Sequence, residues 1–251
     1  MPVRADVPIL KWRPVMAREG SLHAARSRIV SLYLPLWPTD RIRKRLGKDA
    51  PAPEVPLALA GREGRRRVVL SVDLAARKLG LRPGIPVAKA QALYPDLVLM
   101  DADPEGDRLG LKKLALWFQH RIAPIVAVDA PNGLVLDTTG ADHLHGGELP
   151  MLKDMVHRMA GAGFCARAVV ADTWGAAHAL ARYGRLAIAV VRLDKTPSAL
   201  ADLPVEALRL PSPIIEGLAT LGVSGIGPLS FCTGRKRSAR TLLLPRACPC
   251  T

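Results

Sequence analysis

Apolar positions along the chain switch between the period of a strand and that of a helix, and prolines and glycines mark the changes. Residues 29–34 form a short apolar run rich in strand formers. Pro35 and Pro38 lack ladder N–H groups, so the strand is predicted to stop there, and a short helix to follow over 40–46. A Pro/Ala linker (50–56) leads to a predicted strand at 57–60, a tight basic turn over 61–67 and a partner strand at 68–71. Two helical segments, 73–79 and 86–93, flank the breaker at 80–84. Leu109, Leu111, Leu114, Leu116 and Phe118 place an apolar helix over 107–121. Strands at 125–128 and 134–137 are joined through Ala130, Pro131, Asn132 and Gly133, where Asn-Gly signals a hairpin. A helix at 149–160, a strand at 167–171, a helix at 174–183 closed by Gly184 and a strand at 186–191 complete the series.

This order predicts an α+β fold, with helices packed on one face of an antiparallel or mixed sheet. After Thr196 and Pro197 the texture changes to short helices with prolines, which marks a boundary. Residues 1–27 carry Arg4, Lys11, Arg13, Arg18 and Arg26 with little periodicity and are expected to be a loose basic leader.

Composition narrows the partner. With 49% hydrophobic and 23% charged residues the chain is an ordinary globular one, and at 4% aromatics its core must come from Ala, Leu and Val. Thirty-six Lys and Arg against 22 Asp and Glu leave +14, the electrostatic footprint of a protein that neutralises phosphates. The cysteines (Cys165, Cys232, Cys248, Cys250) form no CxxC pair, which argues against zinc and for a reducing compartment. No apolar run suits a signal peptide or a membrane span, so a cytoplasmic, nucleoid-associated protein is expected.

Three blocks carry a family resemblance. Residues 71–90, with Ala76-Arg77-Lys78-Leu79-Gly80 and Gly84-Ile85-Pro86, are similar to the fingers signature of Y-family (translesion) DNA polymerases. Residues 133–140 running into 143–148, and Trp37 to Arg41, resemble segments of the ImuB-like branch. The resemblance spans 28–229. It implies a palm-like domain (28–38 and 96–196), a fingers-like subdomain (39–95), a partial thumb (197–230) and an irregular tail (231–251). It also implies that Arg77 stands where the family contacts a triphosphate, a task that suits the fixed donors of a guanidinium.

Nucleotidyl transfer in this family implies two divalent metals held by carboxylates. Aligned on the family, the acidic positions fall on Leu34 and Leu36 in the first strand and on Asn132 and Gly133 in the hairpin. Another register of the turn saves one acid, Asp129, as a weak residual metal candidate, and the pocket lysine is replaced by Trp174. No catalytic residue and no cofactor is therefore expected; Mg²⁺ enters only if the chain is an active, divergent polymerase. Asp73, Asp137 and Glu148 have easier roles as caps or surface charges. His143 and His145 lack a third ligand, and Trp117 and Phe118 read as core.

What remains is a basic platform for primed DNA: Arg62, Arg65, Arg66 and Arg67 in the fingers turn, with Arg41 and Lys44 after the first strand. Residues 221–229 resemble the helix-hairpin-helix turn of the thumb, where Gly225 and Gly227 would let backbone N–H groups approach a phosphate. The family continues beyond Pro228 into a further DNA-gripping domain, so a truncation with an out-of-frame tail is expected. The resemblance implies an accessory role in damage-induced (SOS) translesion synthesis. Its implied partners are a recombinase-like accessory protein and an error-prone replicative-type polymerase. The alternatives are an active divergent polymerase, or a truncated protein-interaction remnant that no longer grips DNA.

Overall fold

The computed structural model describes residues 27–230, and its frame is set by β1 (Ile29–Tyr33), whose three central residues are buried. Polypeptide covers β1 on both faces, so its centre is buried on both, Ser31 included, rather than alternating buried and exposed. Residues 1–26 and 231–251, with Cys232, Cys248 and Cys250, lie outside the described residues.

Helix α1 (Trp37–Leu46) begins three residues earlier than expected, because Pro38 occupies the first turn, where a missing N–H costs nothing. The basic hairpin β2 (Leu57–Glu63) and β3 (Arg66–Val72) carries its strands almost to the tip. Arg62 pairs with Arg67 and Glu63 with Arg66, so the expected seven-residue turn shrinks to Gly64 and Arg65, with Gly64 at φ +61°. Helices α2 (Leu74–Lys78) and α3 (Val87–Leu93) follow, then β4 (Val98–Asp101), a strand the sequence reading did not contain. It runs parallel to β2 and completes a three-stranded sheet of order β3-β2-β4. The smaller sheet thus reaches Asp101, past the expected boundary at 95.

The larger unit resumes with α4 (Pro104–Arg121), capped by Asp103, whose side chain accepts from the Gly106 N–H at 2.9 Å. Strands β5 (Ile125–Asp129) and β6 (Gly133–Asp137) form the hairpin. Asp129 pairs with Gly133, so Gly133 belongs to the strand and the connection is residues 130–132. Helix α5 (Glu148–Gly161), β7 (Arg167–Ala171), α6 (Trp174–Tyr183) and β8 (Ile188–Val190) follow. The chain then turns through α7 (Thr196–Ala201), α8 (Ser212–Thr220) and α9 (Ile226–Ser230).

The five-stranded sheet has the order β5-β6-β1-β7-β8, antiparallel except for β7 and β8. Its helices are not confined to one face. Leu111 and Phe118 of α4 and Met151, Leu152, Met155 and Met159 of α5 pack on Leu32, Leu134, Leu136 and Val170. On the opposite face α6 packs its alanines, Ala176, Ala177, Ala179 and Ala181, against Val169 and Ala171. The burial of both faces of β7, whose residues 168–171 are an apolar run, is the reason. A separate core joins β2 and β3 to α2 and α3 through Ala58, Val69, Ala76 and Ala90.

Phe118 is fully buried at the centre of the larger core, whereas Leu116 on the same helix is exposed. Phe118→Ala should lower unfolding free energy by about 3–5 kcal/mol, while Leu116→Ala should fall within about 0.5 kcal/mol of the parent. Urea titration of the two variants measures the contrast; equal losses would mean that the core is elsewhere.

Candidate functional site

The strand registers bring Tyr33 of β1, Gly133 of β6 and Asp129 of β5 into one row across three strands. Asp129 is mostly buried, with its side chain 11% exposed. Its carboxylate accepts from Arg182 Nη2 of α6 at 2.9 Å. The guanidinium of Arg182 also lies over the ring of Tyr33, 4.7 Å from its centroid. A Cβ on Gly133 would stand 3.0 Å from Arg182 Nη2 and 3.0 Å from the Leu32 carbonyl oxygen. A side chain at this position would require Arg182 or the strand to give by a few tenths of an ångström.

His178, one turn before Arg182 on α6, completes the cluster. Its Nε2 stands 3.7 Å from Asp129 Oδ2, too long for a hydrogen bond. Burial, reinforced by Arg182 and Arg209, pushes its pKa down to about 4 against the pull of Asp129, so the ring is neutral at physiological pH. The charge balance at this site is therefore one carboxylate against one guanidinium.

These residues do not fit a two-metal centre, which needs several converging oxygen donors. Leu34 and Leu36 are buried in the apolar interior. The β1 residue level with Asp129 is Tyr33, which carries no carboxylate. Asn132 meets the end of β1, its carbonyl accepting from the Leu34 N–H at 2.8 Å. Among the described residues no group of three His, Cys, Asp or Glu side chains converges anywhere. Asp73 instead caps α2, accepting from the Ala76 N–H at 2.8 Å, and Asp137 accepts from the Thr139 N–H at 3.0 Å.

The junction between the two sheets is a network of arginines. Arg43 of α1 donates to Asp73 at 2.6 Å. Arg77 of α2 donates to the Pro35 carbonyl at 2.7 Å, so it does lie against the end of the first strand. Nearby, burial pushes the carboxyl of Asp40 up to about 6, against the Cys165 backbone N–H that it accepts at 2.8 Å and the pull of Arg43. Arg41 is no open phosphate contact. It is committed to Asp103 (2.8 Å) and Asp107, and so clamps α1 to α4. Lys44 remains exposed but donates to the Ala162 carbonyl at 3.0 Å and sits over Phe164.

Arg62, Arg65 and Arg66 are exposed at the tip of the β2–β3 hairpin, and Arg67 pairs with Asp101 at 2.6 Å. The register puts Arg62 and Arg67 on one face and Arg66 on the other, so the cluster straddles the hairpin. Gly225 and Gly227 lie where α9 meets α7; a Cβ on Gly227 would stand 3.1 Å from the Ala201 carbonyl oxygen. Close packing therefore accounts for Gly227 within the fold. Gly146 (φ +75°) and Gly147 (φ +108°) make the turn into α5.

Two functional arrangements were missed by the sequence reading. Arg28 grips Glu148 and donates to Asp172 at 2.8 Å and to the Val191 carbonyl at 3.0 Å, so Glu148 is no simple surface charge. Arg182 was the other, and its only local signal was an arginine on an otherwise alanine-rich helix face.

A family model described as impB/mucB/samB matches residues 48–188. The chain belongs to this family. It is 46% identical over 169 residues to the protein ImuB of Caulobacter vibrioides, covering 67% of this chain and 34% of that relative. DNA polymerase IV of Escherichia fergusonii is 32% identical over 104 residues, covering 39% of this chain and 30% of the relative. The chain thus spans about a third of the length of the curated relatives it matches. Among solved structures, the crystal structure of DinB from Sulfolobus solfataricus superposes with a TM-score of 0.63 at 15% identity, over 81% of this chain and 60% of that one. An insertion ternary complex of Dbh DNA polymerase gives 0.65 at 16%, over 83% and 64%. The fold of the family member described here is thus that of Y-family palm and fingers domains, and the chain is homologous to ImuB.

The Asp129–Arg182 pair is mostly buried, so removing one partner leaves an uncompensated charge. Arg182→Ala should destabilise the fold by about 3–5 kcal/mol, and adding Asp129→Asn should recover part of that loss. Chemical denaturation of the single and double variants tests the coupling. Additive losses would show that the pair carries none.

Proposed function

We propose that this chain is a non-catalytic, DNA-binding member of the Y-family, acting as an accessory in the repair of damaged DNA by translesion synthesis. The observation that carries the proposal is the commitment of Asp129 to Arg182. The sole acid in the row formed with Tyr33 and Gly133 already has its counter-cation, supplied by the protein itself. A metal would have to displace a guanidinium that is also stacked on Tyr33 and packed closely against Gly133.

The rest of the reading concerns DNA. A net charge of +14 and the exposed Arg62, Arg65 and Arg66 support sequence-independent phosphate contacts, with Lys44 as a lesser contributor. Arg77 is assigned to a degenerate phosphate site at the junction of the two sheets, because its guanidinium lies beside the end of β1. The turn between α8 and α9 is assigned to backbone contact with DNA, with Gly225 and Gly227 serving packing as well. The palm, fingers and partial-thumb divisions, with the cytoplasmic and nucleoid location and the induction by damage, belong to the same proposal. So do the partners, a recombinase-like protein and an error-prone replicative-type polymerase. No described helix is long and apolar enough to cross a membrane.

Two assays on the purified chain test this reading. Primer extension with Mg²⁺ or Mn²⁺ should give no product; template-directed incorporation that disappears in Asp129→Asn would overturn the non-catalytic part. Anisotropy with a primed template should show affinity falling steeply with salt. The log–log slope should become shallower by about 0.9 for each phosphate that Arg65→Glu or Arg66→Glu no longer neutralises. Failure to bind at low salt would leave only protein contacts as a function.

A further inference from the structure

The larger sheet ends on β8, and no described strand pairs with its outer edge. The Ala187 carbonyl accepts from the Ala168 N–H, and the Val191 N–H donates to the Val170 carbonyl, so the odd-numbered residues bond to β7. In a parallel strand the N–H and C=O of one residue point to the same side, which directs those of Ile188 and Val190 outward. Strand edges are commonly blunted by shortness, proline, inward charge or a covering element. β8 is short, but it reads Ile-Ala-Val and carries neither proline nor charge.

The surface beside this edge is largely apolar, with Asp142 and Glu148 on its α5 side. Leu186 is 66% exposed, Leu149 45% and Val190 36%. A cavity of about 430 Å³ opens between β8, the end of α6 and α7, lined at depth by Leu180, Val191 and Leu203. Its rim carries Arg185, Arg192 and Lys195 against Asp202. The nearby Asp194 makes only long, exposed pairs with Arg192 (3.4 Å) and Lys195 (4.0 Å).

We propose that the β8 edge is a docking site for a partner protein that supplies an extended segment of alternating apolar residues with carboxylates at its ends. The outward N–H and C=O groups of Ile188 and Val190 extend the sheet by one strand, an aliphatic side chain enters the cavity, and the carboxylates meet the basic rim. Charge selects this occupant. Residues 1–26 hold Arg4, Lys11, Arg13, Arg18 and Arg26 against Asp6 and Glu19; residues 231–251 hold Arg235, Lys236, Arg237, Arg240 and Arg246 and no acid; a second copy brings another +14. Each of these would bring like charge to the rim.

The probe is a fluorescein-labelled peptide, Glu-Glu-Val-Thr-Val-Thr-Val-Glu-Glu, titrated with the full chain in an anisotropy assay. Saturable binding is expected. It should weaken at least about tenfold (about 1.4 kcal/mol) in Leu186→Asp and in Arg192→Glu, whose side chains are exposed, and persist in Arg65→Glu. A Lys-flanked counterpart should not bind, and N-methylation of alternate peptide amides should abolish binding. Thermal melting confirms that each variant is folded. No saturable binding up to about 1 mM, unchanged binding by Leu186→Asp, or an equal loss in Arg65→Glu would each overturn the proposal. Titration of the same variants with primed DNA separates this site from DNA binding, since neither depends on the other.

Discussion

Everything in the larger unit is arranged around β1, a strand hydrogen-bonded along both edges and buried on both faces. Because β6 and β7 occupy its two sides, the hairpin partner β5 and the parallel strand β8 can only lie outside them. Both of its faces are covered, one by α4 and α5 and the other, which carries Tyr33, by α6. The same constraint fixes which residues meet at its end. Tyr33 is the last residue of β1, Gly133 the first of β6 and Asp129 the last of β5, so the row at the sheet's edge is set by register before any side-chain chemistry is considered. At the other end of β1, Arg28 fastens the strand's start to Glu148 and Asp172.

Within that row one ion pair decides the character of the site. α6 approaches the sheet closely because its inner face is alanine, and this brings Arg182 over Tyr33 and onto Asp129. His178 is held neutral by burial and by the two arginines near it, so it adds no charge. Gly133 packs closely against Arg182. Four residues from four elements thus build an internal cation where the fold could otherwise have gathered oxygen donors for an external one.

Much of this fold could be read from the sequence where a single element determines itself. β7 and α6 fall on their predicted bounds, since an apolar run and an alanine-rich amphipathic segment are local signals. The start of α1 was misplaced because proline ends a strand and opens a helix with equal ease, and only tertiary context separates the two uses. β4 was missed since Val98 to Asp101 is a strand only by virtue of pairing in parallel with distant β2. Of the candidate site residues, Arg77 bonds to the Pro35 carbonyl just past β1, Asp129 ends β5 two strands away, and Leu34 and Leu36 are buried. Arg41 was assigned to DNA because its partners, Asp103 and Asp107, lie more than sixty positions away and leave no local trace. Arg182 escaped notice for the same reason: an ion pair spanning two elements has no signature in either one.

Arg182 is the cation at Asp129, and the proposal of a non-catalytic site rests on that pairing. A titration with Mn²⁺ followed by electron paramagnetic resonance tests this directly. The expected result is no saturable site below about 1 mM in the parent chain, since Asp129 is already paired and no second carboxylate stands in its row. Tight Mn²⁺ binding by the parent chain, lost in Asp129→Asn, would contradict it and return the row of Tyr33, Gly133 and Asp129 to the metal-binding centres.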